Sequence, residues 1–178
     1  MTLVKTIDTT ITYFLNQLIP RSVFFDSLFS FFSIQGASII IWLSIAILVV
    51  FFEEKKHPGV SKKDRRFVFL LAVSLVTTFV LVNSALKPIF HRHRPPNSYP
   101  LTPNICPTDY SFPSSHAATA FAAAAVLIYF DKKRRLIYWT IAVLISLSRI
   151  YLGCHYFFDV VAGAAIGYFI GRLILLVK

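Results

Sequence analysis

The sequence predicts an all-α fold, a polytopic transmembrane helical bundle, and three observations lead there. Hydrophobic residues fill 56% of the 178 positions, and the mean hydropathy is +0.67, values rare for a soluble domain of this length. Several apolar runs approach the ~20 residues that a helix needs to cross a bilayer. The basic residues behind the formal net charge of +10 gather in short blocks beside those runs, as topology signals do. The first strong apolar run lies well inside the chain and lacks a small-residue cleavage site, so no cleavable leader is expected.

Residues 1–33 are read as N-terminal interfacial helices. The stretch Thr6–Ser33 mixes Asp8, Asn16, Gln17, Pro20, Arg21 and Asp26 with Phe, Leu and Ile. A continuous span would bury too many polar groups, so two short amphipathic helices broken at Pro20-Arg21 are expected, with a sixth span as the alternative. Residues 34–178 hold five expected spans: Ile34–Phe52, Phe67–Leu86, Ala117–Phe130, Leu136–Ile150 and Phe157–Val177. The third and fourth are short and must extend into flanking residues that neighbouring helices shield. In the last, Gly163, Gly167 and Gly171 recur every fourth residue, the close-packing pattern of membrane helices, expected here against another helix of the same chain. The whole of 1–178 is read as one membrane-embedded domain.

Orientation follows from charge. Glu53–Arg66 and Asp131–Arg135 carry the basic blocks, and the positive-inside rule makes both connections cytoplasmic. The connections Lys87–His116 and Tyr151–Tyr156 then face outward, and the C-terminus is cytoplasmic. Seven prolines between Lys87 and Pro113 forbid a long helix there and suggest a stiff cap.

Three clusters fall on that outer face: Lys87 with Arg94-Pro95, Pro113-Ser114-Ser115-His116, and Ser148-Arg149 with His155 and Asp159. Charges at span ends are expensive unless paired or functional. Lys87, Arg94 and Arg149 suit a phosphate clamp, because guanidinium forks match phosphate oxygens and lysine adds a point charge. Ser114 and Ser115 precede a helix, where backbone N–H groups make an anion site. His155 and Asp159 are four apart, the spacing that stacks side chains on one helical face, where a carboxylate can fix an imidazole tautomer and free the other nitrogen to attack. His116 is placed to protonate a leaving oxygen and then activate water. Singly, each residue has a blander reading: snorkelling for Arg149, a span anchor for Lys87, a helix cap for Asp159, a loop hydrogen bond for His116. Clustered on one face, the functional readings prevail.

Lys87-x6-Arg94-Pro95, Pro113-Ser114-Ser115-His116 and Ser148-Arg149-x5-His155-x3-Asp159 resemble the three signature motifs of the type 2 phosphatidic acid phosphatase superfamily. That family includes bacterial undecaprenyl-pyrophosphate and phosphatidylglycerophosphate phosphatases. The resemblance implies His155 as nucleophile, Asp159 as its partner and His116 as general acid. It implies Lys87, Arg94, Ser114 and Arg149 as phosphate ligands, joined by the Ser115 backbone N–H. The family often has glycine where Ser115 stands; the backbone donor survives that change. No metal or other cofactor is expected, since the family's phosphatases need none and the sequence offers no ligand cluster.

The leading expectation is metal-independent hydrolysis of a lipid phosphate or pyrophosphate at the extracytoplasmic face of the plasma membrane. Undecaprenyl pyrophosphate comes first, then phosphatidylglycerophosphate, with lipid A phosphate and phosphatidate also open. The alternatives are a lipid phosphotransferase, a vanadium haloperoxidase and a small membrane scaffold. The expected partners are the lipid substrate and the bilayer, not nucleic acid, because the basic blocks are short and lack interleaved aromatics. Oligomeric state is left open. Cys106 and Cys154 both fall on the outer face and read first as packing residues, with a disulfide as the alternative.

Overall fold

The computed structural model describes residues 3–33, 37–54, 59, 61–96 and 106–177, and among them only helices and their connections occur. The order is α1 (Leu3–Leu18), α2 (Val23–Ser33), α3 (Ala37–Glu54), α4 (Lys62–Val80), a π-helical turn (Leu81–Leu86), α5 (Lys87–Phe90), α6 (Ser115–Phe130), a 3-10 turn (Lys132–Arg134), α7 (Arg135–Tyr151) and α8 (Phe157–Ile174). The described part of each apolar run expected from sequence is therefore helical, the last run as far as Ile174, while residues 34–36 of the first lie outside the described residues. Two helices combine the length and apolarity of a crossing segment, namely Lys62–Phe90 and Phe157–Ile174. The apolar stretches Ile40–Phe51 and Ser115–Phe130 are shorter.

Helix α6 sits at the centre. Residues Ala117, Ala118, Ala120, Val126 and Leu127 are fully buried on several of its faces, which marks a helix surrounded by others. It packs against α4, α7 and α8, with α8 closest. The reason is the glycine stripe. A Cβ at Gly163 or Gly167 would overlap the carbonyl oxygen of Ser114 or Ala118, and one at Gly171 would lie 2.7 Å from that of Ala122. The three glycines thus fit three successive turns of α6, backbone against backbone, as expected from their spacing. Both numberings rise together, so the two helices run parallel and start at the same end.

The chain's reversals bring the other motif segments to that end. Short connections send α7 back toward the start of α6. Lys62–Phe90 packs along α6 and ends there as well, where His91 closes it at φ 47° in the left-handed region. The opposite end holds Asp131, which accepts hydrogen bonds from Arg134 (2.9 Å) and Tyr138 (2.6 Å). There a groove of about 550 Å³ is lined by Lys62, Lys63, Arg66, Tyr129, Phe130 and Lys132. It lies a helix length from the imidazoles and plays no part in their chemistry.

The N-terminal helices break around Pro20, as the sequence predicts. The polar stripe of α1 points unexpectedly inward. Asp8, Thr12 and Asn16, one turn apart, are buried, while Leu3, Val4, Phe14 and Leu18 are more than 60% exposed. A helix floating at a water boundary would turn its polar side chains to water. Here they serve backbone groups of the bundle instead. Asn16 Nδ2 donates to the carbonyls of Ile150 and Tyr151 (both 2.8 Å), and Arg21 also donates to that of Tyr151 (2.7 Å).

Candidate active site

The third motif owes its shape to the end of α7. Gly153, at φ 71°, takes the left-handed position that ends many helices. The Cys154 N–H then donates to the Arg149 carbonyl (3.0 Å) and the Gly153 N–H to that of Ile150 (2.9 Å), the paired bonds of a Schellman motif. The His155 N–H also donates to the Arg149 carbonyl, at 3.2 Å. Five residues between Arg149 and His155 are what this turn consumes. It sets a fully buried guanidinium beside a buried imidazole.

Asp159 is the third residue of α8 and is fully buried. Its Oδ2 accepts the Tyr156 N–H at 2.9 Å, capping the helix, and lies 3.5 Å from His155 Nδ1, long for a hydrogen bond. The capping and imidazole-facing roles therefore coincide in one carboxylate. The sequence expectation of two side chains stacked along a helix needs correction. His155 precedes α8 and reaches Asp159 from the turn before its N-cap, Tyr156.

The other face of the imidazole meets Arg94. Arg94 Nη1 lies 3.0 Å from His155 Nε2 and donates to the Cys154 carbonyl at 2.8 Å. An Nε2 that accepts from a guanidinium leaves the ring proton on Nδ1, toward Asp159. Burial pushes the His155 pKa well below its ordinary value, and the charges of Arg94, Arg149 and Lys87 push it further. The ring is accordingly neutral, with its Nε2 lone pair directed among the cations.

Lys87 follows the π-helical turn, a device common near functional sites, and is buried. It pairs with Asp109 of the outer connection. Arg94 binds the same residue twice, Nη2 to the carboxylate Oδ1 at 2.6 Å and Nε to the carbonyl at 2.9 Å. Burial raises the Asp109 carboxyl, but hydrogen bonds from Lys87 and Arg94 outweigh it and hold it below the usual range.

The second motif starts α6. Ser114 is its N-cap, Oγ accepting weakly from the Ala117 N–H at 3.5 Å, while its own N–H donates to the Asp159 carbonyl at 3.0 Å. Ser114 is therefore a buried strut between α6 and α8. Ser115 and His116 occupy the first turn and are partly exposed. Burial, and then the charges of Arg149, His155, Lys87 and Arg94, push the His116 pKa well below its ordinary value.

All eight expected residues thus gather at one end of the bundle. Sequence reasoning missed others. Asp109 pairs with both Lys87 and Arg94. Arg92 bridges Asp159 and Asp8, at 2.7 and 2.6 Å. Asp8 is a charge at helical spacing from Thr12 and Asn16, a stripe that burial, not water, explains. Cys106 and Cys154, read first as packing residues, form a disulfide with their Cα atoms 5.3 Å apart. The outer connection folds back onto the turn after α7, and sequence spacing cannot reveal that approach. Among the described residues no group of three His, Cys, Asp or Glu side chains is arranged to hold a metal.

The sequence model of the PAP2 superfamily matches residues 67–178, from α4 to the C-terminus, and takes in all three motifs. The chain belongs to the PAP2 superfamily. Among similar proteins, a lipid A 4'-phosphatase of Bacteroides thetaiotaomicron is 33% identical over 94% of this chain and 75% of its own length. An undecaprenyl-diphosphatase of Sulfolobus acidocaldarius is 34% identical over 75% of the chain, a match spanning 61% of that protein. The crystal structure of Aquifex aeolicus LpxE superposes with a TM-score of 0.68 at 26% identity, over 95% of this chain and 94% of that one. A transmembrane PAP2-type phosphatidylglycerolphosphate phosphatase from Bacillus subtilis gives 0.69 at 22% identity, covering 98% and 86%, a likeness of fold.

Proposed function

We propose that this PAP2 protein is a phosphatase that hydrolyses a membrane lipid phosphate or pyrophosphate through a phosphohistidine intermediate. The observation that carries the reading is the buried imidazole of His155, its Nε2 3.0 Å from Arg94, in a site where burial and the charges of Arg94, Arg149 and Lys87 lower its pKa. Phosphoryl transfer needs a nucleophile in line with the leaving group and positive charge around the equatorial oxygens. His155 Nε2 attacks phosphorus, and the bond to the lipid-side oxygen breaks. His116 gives that oxygen its proton, which the incoming phosphate anion helps it to hold by offsetting the surrounding cations. Water, giving a proton to His116, then attacks the phosphohistidine and releases inorganic phosphate. Lys87, Arg94 and Arg149 hold the non-bridging oxygens, with Ser114 and the Ser115 backbone N–H beside them. Asp159 keeps the proton of His155 on Nδ1.

In the proposed topology the bundle crosses the plasma membrane five times, with residues 1–178 forming one domain. The basic blocks at the start of α4 and after α6 lie at the end away from His155, which favours a cytoplasmic C-terminus and an extracytoplasmic site. A disulfide at the site end suits an oxidising exterior. Headgroup depth favours a lipid substrate. Undecaprenyl pyrophosphate and lipid A 4'-phosphate are the first two candidates, each the substrate for which a relative is named.

The test is a panel of these two lipids with phosphatidylglycerophosphate and phosphatidate, using pure protein in detergent and EDTA. Phosphate release from at least one lipid, undiminished by chelator, is expected, because protein cations supply the charge. No release from any of them, or loss on chelation, contradicts the reading. Transfer of the labelled phosphate to a lipid acceptor would make it a phosphotransferase.

A phosphate entering this site must displace the Asp109 carboxylate from Lys87 and Arg94. Asp109 is 43% exposed, so the competition is worth only about 1 kcal/mol. Asp109→Asn is therefore expected to lower the half-inhibiting concentration of orthovanadate roughly fivefold. An unchanged or higher value would show that Asp109 supports the clamp instead of competing for it.

A further inference from the structure

Two acidic side chains flank the start of α8, with one guanidinium between them. Asp159 Oδ2 is committed to the Tyr156 N–H and faces His155, while Oδ1 accepts Arg92 Nη1 at 2.7 Å. Arg92 Nη2 donates to Asp8 Oδ2 at 2.6 Å, and Asp8 Oδ1 accepts the Phe158 N–H at 2.9 Å. The next turn of α1 repeats the contact, Thr12 Oγ1 accepting the Phe157 N–H at 2.9 Å. The Arg92 guanidinium also stacks on the Tyr156 ring, 4.1 Å from its centroid. Both carboxylates are buried, whereas Arg92 is 26% exposed.

We propose that Arg92 and Asp8 are positioning residues for the His155–Asp159 pair, so that α1 completes the active site from outside the three motifs. A carboxylate gripped by donors on both oxygens cannot rotate, and this one must present Oδ2 to Nδ1 for Nε2 to stay unprotonated. Two buried negative charges without a cation between them would take up a proton, and a protonated Asp159 loses its hold on the tautomer. Arg92 supplies that cation and fork geometry; Asp8 holds Arg92 through an anchor fixed to the α8 backbone. Neither residue touches the phosphate.

The inference rests on the phosphatase reading above, and the experiment separates the two. Wild type, Arg92→Ala, Arg92→Lys and Asp8→Asn are compared with the best lipid substrate of the panel. Asp8→Asn is informative because asparagine can still accept the Phe158 N–H while losing its charge on Arg92. Arg92→Ala is expected to lower kcat on the order of 10- to 100-fold with KM nearly unchanged. Added guanidinium ion, which can reach this partly exposed site, should restore part of that loss, and Arg92→Lys should fall between. Asp8→Asn should lower kcat in the same manner, and less than additively when combined with Arg92→Ala. Unchanged kcat in both Arg92→Ala and Asp8→Asn overturns the inference while leaving the phosphatase intact. So does a loss appearing in KM alone, or a kcat loss that guanidinium does not touch. A wild type inert toward every lipid overturns the phosphatase reading itself.

Discussion

His155→Ala is expected to lose lipid phosphate hydrolysis by about 10⁴-fold, because the variant lacks the nitrogen placed beside Arg94 to take the phosphoryl group. Phosphate binding should survive. Lys87, Arg94 and Arg149 remain, so orthovanadate should still raise the unfolding temperature of the variant in detergent. The wild-type pH profile carries the same information. A nucleophile must be unprotonated, so kcat/KM falls as pH drops through its pKa. Burial and three neighbouring cations depress that pKa, which places the acid limb well below the ordinary histidine value of 6.5. An acid limb above 6.5, or substantial turnover by a folded His155→Ala protein, would remove this histidine from the mechanism.

The second large effect belongs to His116 and depends on the leaving group. His116→Asn should slow lipid phosphate hydrolysis by roughly 10²- to 10⁴-fold, the scale of a lost general acid. With an aryl phosphate the leaving oxygen needs no proton, so phosphorylation of the enzyme should proceed nearly as in wild type. Water attack still needs a base. A burst of phenolate release followed by a slow steady state is therefore expected with that substrate. Equal losses for alkyl and aryl phosphates, without a burst, would give His116 a binding role instead.

How far the sequence could be read follows from what each residue exposes about itself. The three motif clusters were legible because charge at the end of an apolar run is costly, and shared topology brought the costly residues to one side. Packing of α8 on α6 was legible for a related reason. Gly163, Gly167 and Gly171 advertise a close approach, although the partner turns at Ser114, Ala118 and Ala122 carry no comparable signal. Asp8 was not legible, since polar residues every fourth position describe a stripe without saying whether water or protein faces it. In lipid the apolar face turns outward, and Asp8, Thr12 and Asn16 meet backbone donors and acceptors of the bundle. Arg92 lay hidden in a run of alternating His and Arg, in which the spacing from Lys87 marks Arg94 alone. Asp109 and the Cys106–Cys154 bond depend on how the outer connection folds back, a long-range approach with no local pattern. His155 also precedes its helix instead of belonging to it, because Gly153 spends the intervening residues on a helix stop.

The most direct measurement is rapid acid-free quenching of the enzyme with a substrate labelled in its terminal phosphate, followed by mapping of the labelled protein. Label that is stable to base, labile to acid and carried on His155 is expected, accumulating in His116→Asn and absent from His155→Ala. Label on another residue, or full turnover without any labelled protein in either enzyme, would contradict a phosphohistidine at this position.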